Sequence, residues 1–147
     1  MTSQNRFTLR AAVYLLLIKD KQLLLLRRAN TGWMDGKYDV PAGHIGGNEP
    51  ITSAMIREAK EEANIILTTE DLLPATAMHR KGGAFEYVDF YFIANHWKGE
   101  PVIGEAEKCD DIKWFPLNNL PENIVPYTKK AIENYKRNIP FDEFGWE

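Results

Sequence analysis

Four carboxylates and one guanidinium crowd a short stretch near the middle of the chain. Glu49 follows Gly43 after five residues, Arg57 and Glu58 follow Glu49 after seven, and Glu61 and Glu62 stand one helical turn further on. Like charges this close repel one another unless a cation sits among them. A divalent metal carrying phosphate is the most economical such cation. On a helix, Glu58, Glu61 and Glu62 fall within roughly a 100° arc, and Met55, Ala59 and Ala63 form the apolar stripe. Glu62 lies only about 20° from Met55 by the same arithmetic, and a carboxylate beside a buried face is expensive unless paired or metal-bound. The donors are all hard oxygens next to a glycine loop, which suits Mg²⁺ or Mn²⁺ better than zinc. Arg57, four residues before Glu61, can hold that carboxylate in place. The plain alternative is a solvated acidic surface. His44 has no metal-ligand partner at helical or hairpin spacing and reads as a polar loop residue.

The elements that must position this cluster are visible around it. Phe7–Ile18 reads as a buried strand, Lys19–Lys21 as a polar turn, and Gln22–Arg27 (QLLLLR) as a returning strand. Arg28–Lys37 is a loop punctuated by Asn30, Gly32 and Asp35-Gly36, and Tyr38–Pro41 a short extended piece. Gly43–Glu49 is a further loop. Pro50 opens a helix that runs to about Ala63, with Asn64 suited to a left-handed ending. Leu73–His79 and Ala84–Trp97 are strands around a Lys81–Gly83 turn, Ile112–Phe115 is a short strand, and Tyr127–Lys136 is a second helix. The aromatic tail IPFDEFGWE is too short for a defended element. Strands bracketing two helices without strict alternation predict an α/β (α+β mixed) architecture, a mixed curved sheet flanked by a helix on each face.

The 147 residues fit one domain, 1–147. Eighteen Lys and Arg against 21 Asp and Glu leave a net charge of -3, which argues against gripping a nucleic-acid backbone but not against nucleotides. The single Cys109 excludes an intrachain disulfide and reads as a small residue near a strand. The start MTSQNRFTLR has no long apolar run behind a basic head, so no signal peptide is expected, and the longest apolar run, Ala11–Ile18, is far short of a bilayer span. A cytoplasmic protein, a monomer or homodimer without membrane association, is expected.

The central segment resembles the Nudix box, G-x5-E-x7-R-E-U-x-E-E-x-G-U with U aliphatic. Gly43, Glu49, Arg57, Glu58, Ala59, Glu61, Glu62 and Ile65 match it, and Asn64 replaces the second glycine. The stretches LLLLRRANTGWMDGKYDVPAGHIGGNE and WKGEPVIGE are similar to MutT-type nucleoside triphosphate pyrophosphohydrolases, and LNNLPENIVPY more weakly so. The resemblance implies a Nudix α/β/α sandwich and Mg²⁺-dependent hydrolysis of a diphosphate bond in a small-molecule nucleotide substrate. A (d)NTP cleaved to monophosphate and pyrophosphate leads. An ADP-ribose or nucleotide-sugar pyrophosphatase and a non-catalytic nucleotide-binding regulator are the alternatives. It further implies metal ligation by Glu58, Glu61, Glu62 and the Gly43 carbonyl, joined by Glu105 on a mobile loop, with Glu107 as its substitute. Arg57 orients Glu58 or Glu61, and Glu49 caps or braces the loop. Arg28 and Asn123 match substrate-contacting positions, and Trp33, Tyr38, Phe85 and Tyr87 are candidates to stack on a base.

Overall fold

The computed structural model describes residues 5–147. The chain runs β1 (Arg10–Lys19), β2 (Gln22–Arg28), β3 (Tyr38–Asp39), β4 (Ala42–His44), α1 (Ile51–Ala63), a 3-10 turn at Thr69–Asp71, β5 (Leu73–Gly82), β6 (Phe85–Ala94), β7 (Cys109–Pro116), α2 (Pro126–Lys136) and β8 (Phe141–Phe144). Side chains alternate across a strand, and β1 and β2 are apolar at both parities, which explains the unbroken leucines. Ala12, Tyr14, Leu16, Leu23 and Leu25 join Tyr127, Ala131 and Ile132 of α2 in one core. Val13, Leu15, Leu17, Leu24 and Leu26 join Ala54, Met55, Ala59 and Ala63 of α1 in the other. The mixed sheet therefore carries one helix on each face, as the pattern predicts.

Strands β1 and β2 pair only beside their turn, at Ile18↔Leu23 and Lys19↔Gln22. They then part around the segment 38–44. Tyr38 and Asp39 pair with β2, whereas Ala42–His44 pair with β1, setting Gly43 opposite Val13. On its other edge β1 runs parallel to β6, which forms a long hairpin with β5. Strand β7 lies antiparallel to β2.

Several boundaries differ from the sequence reading. The loop expected over Gly43–Glu49 begins as strand β4, because residues 42–44 find ladder partners on β1. Lys81 and Gly82 belong to β5, so the hairpin turns at Gly83-Ala84 instead of Lys81–Gly83. Strand β7 is twice the expected length, and the first strand begins at Arg10 rather than Phe7. The tail does form an element. Phe141–Phe144 add a parallel strand to β5, and the Trp146 indole donates to the His79 carbonyl at 3.1 Å. Helix α1 matches its prediction: Pro50 is its N-cap, and Asn64 ends it in the left-handed region at φ 57°. Among the described residues no helix is long and apolar enough to cross a membrane.

Candidate active site

A cleft of about 910 Å³ opens where β1 and β2 part. Helix α1 delivers Glu58, Glu61 and Glu62 to it, and the loop before β7 delivers Glu105. Apolar Met55, Ala59 and Ala63 fix the roll of the helix by being fully buried. Its far end is held by the loop: the amides of Val102 and Gly104 donate to the carbonyls of Ala63 (3.1 Å) and Glu62 (2.9 Å). A Cβ on Gly104 would lie 2.1 Å from the Glu61 carbonyl oxygen, so only glycine permits this approach. The loop carrying Glu105, which the resemblance implies to be mobile, is thus tied to α1 by two backbone hydrogen bonds.

Gly43 serves the same purpose on the other side. The Glu58 carboxylate rests on it, and a Cβ there would fall 2.0 Å from Glu58 Cδ. Arg57 binds both oxygens of Glu49, at 3.2 and 3.1 Å. Its Nη1 reaches Glu58 at 3.0 Å and Glu61 at 3.6 Å. Glu49 therefore braces Arg57 and makes no helix cap, and of the two carboxylates expected for it Arg57 holds Glu58 more closely than Glu61. Hydrogen bonds to Glu49, and then to Glu58, raise the Arg57 guanidinium above its ordinary range against the opposing effect of burial.

Glu62 has no such cation. Its Oε1 accepts the Ala42 amide at 3.0 Å. Burial pushes its carboxyl up to about 8 against that hydrogen bond, and the neighbouring Glu58 and Glu105 push it the same way. Burial also raises Glu58, with Arg57 opposing. As they stand, no three His, Cys, Asp or Glu side chains among the described residues are gathered tightly enough to hold a metal. The donor chemistry nevertheless fits a hard divalent cation: an oxygen-only set, one half-buried member without a counter-charge among the described residues, and a carboxylate laid on a glycine backbone.

The remaining sequence candidates divide. Arg28 lines the cleft, with Nε donating to the Trp33 carbonyl (2.6 Å) and Nη2 to Thr31 Oγ1 (3.1 Å). Phe85 lines it too, with the Arg10 guanidinium 3.5 Å above its ring. Trp33, His44 and Tyr87 are also in the lining, the last two stacked at 6.0 Å. Tyr38 and Asn123 are not. Tyr38 is buried, with its hydroxyl bonded to Asp111 and its ring edge-on to Phe115, so it packs core instead of stacking on a base. The Asn123 amide donates to the Gly36 carbonyl at 2.9 Å and fastens that loop. Cys109 is buried at the start of β7.

The cleft also holds polar residues that the sequence reading did not select. Asp39, Tyr14, Arg80 and Tyr127 line it. Arg80 pairs with the fully buried Asp89 at 2.6 Å, and Tyr14 donates to the same carboxylate at 3.2 Å. Asp39 accepts from Thr128 Oγ1 at 2.7 Å and from the Val40 amide at 2.8 Å. A charge set between apolar neighbours, as in Tyr38-Asp39-Val40 and Val88-Asp89-Phe90, was the available signal.

The NUDIX domain profile matches residues 8–135. The ADP-ribose pyrophosphatase of Methanocaldococcus jannaschii is 29% identical over 119 residues, spanning 81% of this chain and 68% of that protein. The crystal structure of a MutT NUDIX hydrolase from Burkholderia pseudomallei superposes with a TM-score of 0.79 at 25% identity, covering 86% of this chain and 98% of that one. A MutT protein from Methanosarcina mazei shares the fold, at TM-score 0.75, 21% identity and coverage of 90% and 96%.

Proposed function

The chain belongs to the Nudix family, and from that premise we propose that it is a Mg²⁺-dependent nucleoside triphosphate pyrophosphohydrolase releasing a nucleoside monophosphate and pyrophosphate. The observation that carries this reading is Glu62, a half-buried carboxylate on the cleft wall beside Glu58 and Glu105, bonded to the Ala42 amide and paired with no cation among the described residues. Such an arrangement persists when a metal–phosphate ligand supplies the missing charge. Glu58, Glu61, Glu62 and Glu105, with the Gly43 carbonyl, are the groups that would hold the ion. When bound, it neutralises phosphate oxygens and acidifies water.

The protein's own residues do the positioning. Arg57, clamped by Glu49, keeps Glu58 and Glu61 from turning into solvent. Gly43 lets the Glu58 carboxylate reach the backbone. Arg28 has Nη1 without a partner among the described residues and offers it to the phosphate chain. Phe85 and Trp33, each about half exposed at the cleft, flank the substrate. Water attacks phosphorus, the P–O–P bridge breaks, and the water proton passes to a carboxylate of this set.

The likeness to an ADP-ribose pyrophosphatase supports a second reading, cleavage of ADP-ribose to AMP and ribose phosphate. Purified protein with Mg²⁺, offered (d)NTPs, 8-oxo-dGTP, ADP-ribose and nucleotide sugars, separates the two by product. Triphosphates giving monophosphate and pyrophosphate are expected. ADP-ribose as the preferred substrate would replace the first reading with the second, and binding without turnover across the panel would sink both.

A further inference from the structure

The polar floor of the cleft is built for something other than metal and phosphate. Asp39 and Arg80 are each only 5% exposed, yet each has one polar atom without a partner among the described residues. Thr128 and Val40 both use Asp39 Oδ1, which leaves Oδ2. Asp89 and Tyr14 use Arg80 Nε and Nη2, which leaves Nη1. No sealed side-chain nitrogen or oxygen among the described residues is unpaired. The two leftover atoms therefore open onto free space, and the cleft that both residues line supplies it.

The surroundings restrict what fits. The Arg80 guanidinium is sandwiched between Tyr87, at 4.2 Å, and Tyr127, at 4.0 Å. A ligand meeting Nη1 edge-on enters a slot between two phenol rings and must be flat there. It must offer an acceptor to Nη1 and an N–H donor to Oδ2. Phosphate fails on both shape and charge, since Asp39 carries the same sign and Asp89 already neutralises Arg80. The two floor groups belong to one network: Tyr14, which bonds Asp89 and Arg80, stacks at 4.4 Å on Tyr91, whose hydroxyl lies 3.4 Å from Thr128.

Resting on the nucleotide reading above, we infer that Asp39 and Arg80 form the nucleobase subsite. Asp39 Oδ2 accepts an N–H from the base edge, and Arg80 Nη1 donates to a ring acceptor. This makes Asp39 a specificity-determining residue. Asp39→Asn is the informative change: its amide oxygen can keep the Thr128 and Val40 hydrogen bonds while its NH₂ presents a donor where the carboxylate presented an acceptor.

The test compares wild type and Asp39→Asn with Mg²⁺ on the four common NTPs and on an N-methylated analogue of the best one, its edge N–H replaced by N–CH₃. Methylation should cost the wild type about 10- to 100-fold in kcat/KM, mainly through KM. In Asp39→Asn the parent substrate should fall by a similar factor, the methylation penalty should shrink, and the ranking of bases should change. Equal wild-type use of parent and methylated substrate would overturn the subsite, as would an unchanged ranking in Asp39→Asn. Equilibrium dialysis of the corresponding nucleosides, without metal or phosphate, reads the same pocket independently of hydrolysis. Discrimination there with no turnover of any diphosphate would retain the subsite and reject the proposed activity. No discrimination there would reject the subsite.

Discussion

Two polar regions line one cleft and are compensated in opposite ways. Around Arg80, every charge meets an opposite charge: Asp89 at 2.6 Å, with Tyr14 donating to the carboxylate. Around Glu62, carboxylates face carboxylates, and Arg57, the cation paired with this cluster among the described residues, is shared among Glu49, Glu58 and Glu61. The first region is balanced in charge and keeps only hydrogen-bonding capacity toward the cleft. The second becomes electrostatically complete only with an external cation, which distinguishes a cation site from a charge-balanced polar surface.

The largest effect should come from breaking the charge-balanced network. Asp89→Ala strands the Arg80 guanidinium at a site 5% exposed and should cost about 3–5 kcal/mol of unfolding free energy, measured by urea titration. A loss below about 1 kcal/mol would erase the contrast, since that is the scale of an exposed pair. Next, Glu62→Gln should lower kcat by about 100- to 1,000-fold without weakening the metal-free fold. A variant both active and less stable would place Glu62 with the structural network instead.

The pH dependence of the metal-free protein sharpens the same contrast. Folded Glu62 keeps its proton up to about 8, whereas its ordinary value is 4.5. Between these values the native state binds more protons than the unfolded one, so stability is complete below the lower value and is lost as pH rises through the upper. Asp39, pushed up to about 6 by burial, adds the same trend only at lower pH. From about pH 6.5 to 9 in EDTA, Tm should fall by about 5 °C, less so in Glu62→Gln, and Mg²⁺ should restore it. A flat profile would show Glu62 already compensated. The smallest change is expected from Glu49→Gln, which loosens Arg57, a side chain 38% exposed. It should cost about 0.5–1 kcal/mol and a few-fold in kcat through less orderly Glu58 and Glu61.

The acidic region was legible in the sequence because its logic is local. Helical spacing puts Glu62 beside Met55, and a proline and an asparagine mark the ends of α1 where the structure has them. The charged floor was not, because Asp39, Arg80 and Asp89 reach one cleft region from three strands and no spacing along the chain announces that. Tyr38 and Asn123, expected as substrate contacts, lie outside the cleft lining, and the sequence hid this for a related reason. An aromatic ring or an amide suits both packing and recognition, and only its direction decides. The structure turns one toward Phe115 and the other toward Gly36. Strand β8 was missed since its partner lies 64 residues away, Ala77 opposite Phe141.

That last strand covers part of one edge of the sheet. Without it, the ten-residue β5 would offer a row of open amides and carbonyls, a template on which a second chain could grow. What faces outward instead is four residues long and carries Asp142 and Glu143. A brief rim carrying two carboxylates discourages edge-to-edge growth there.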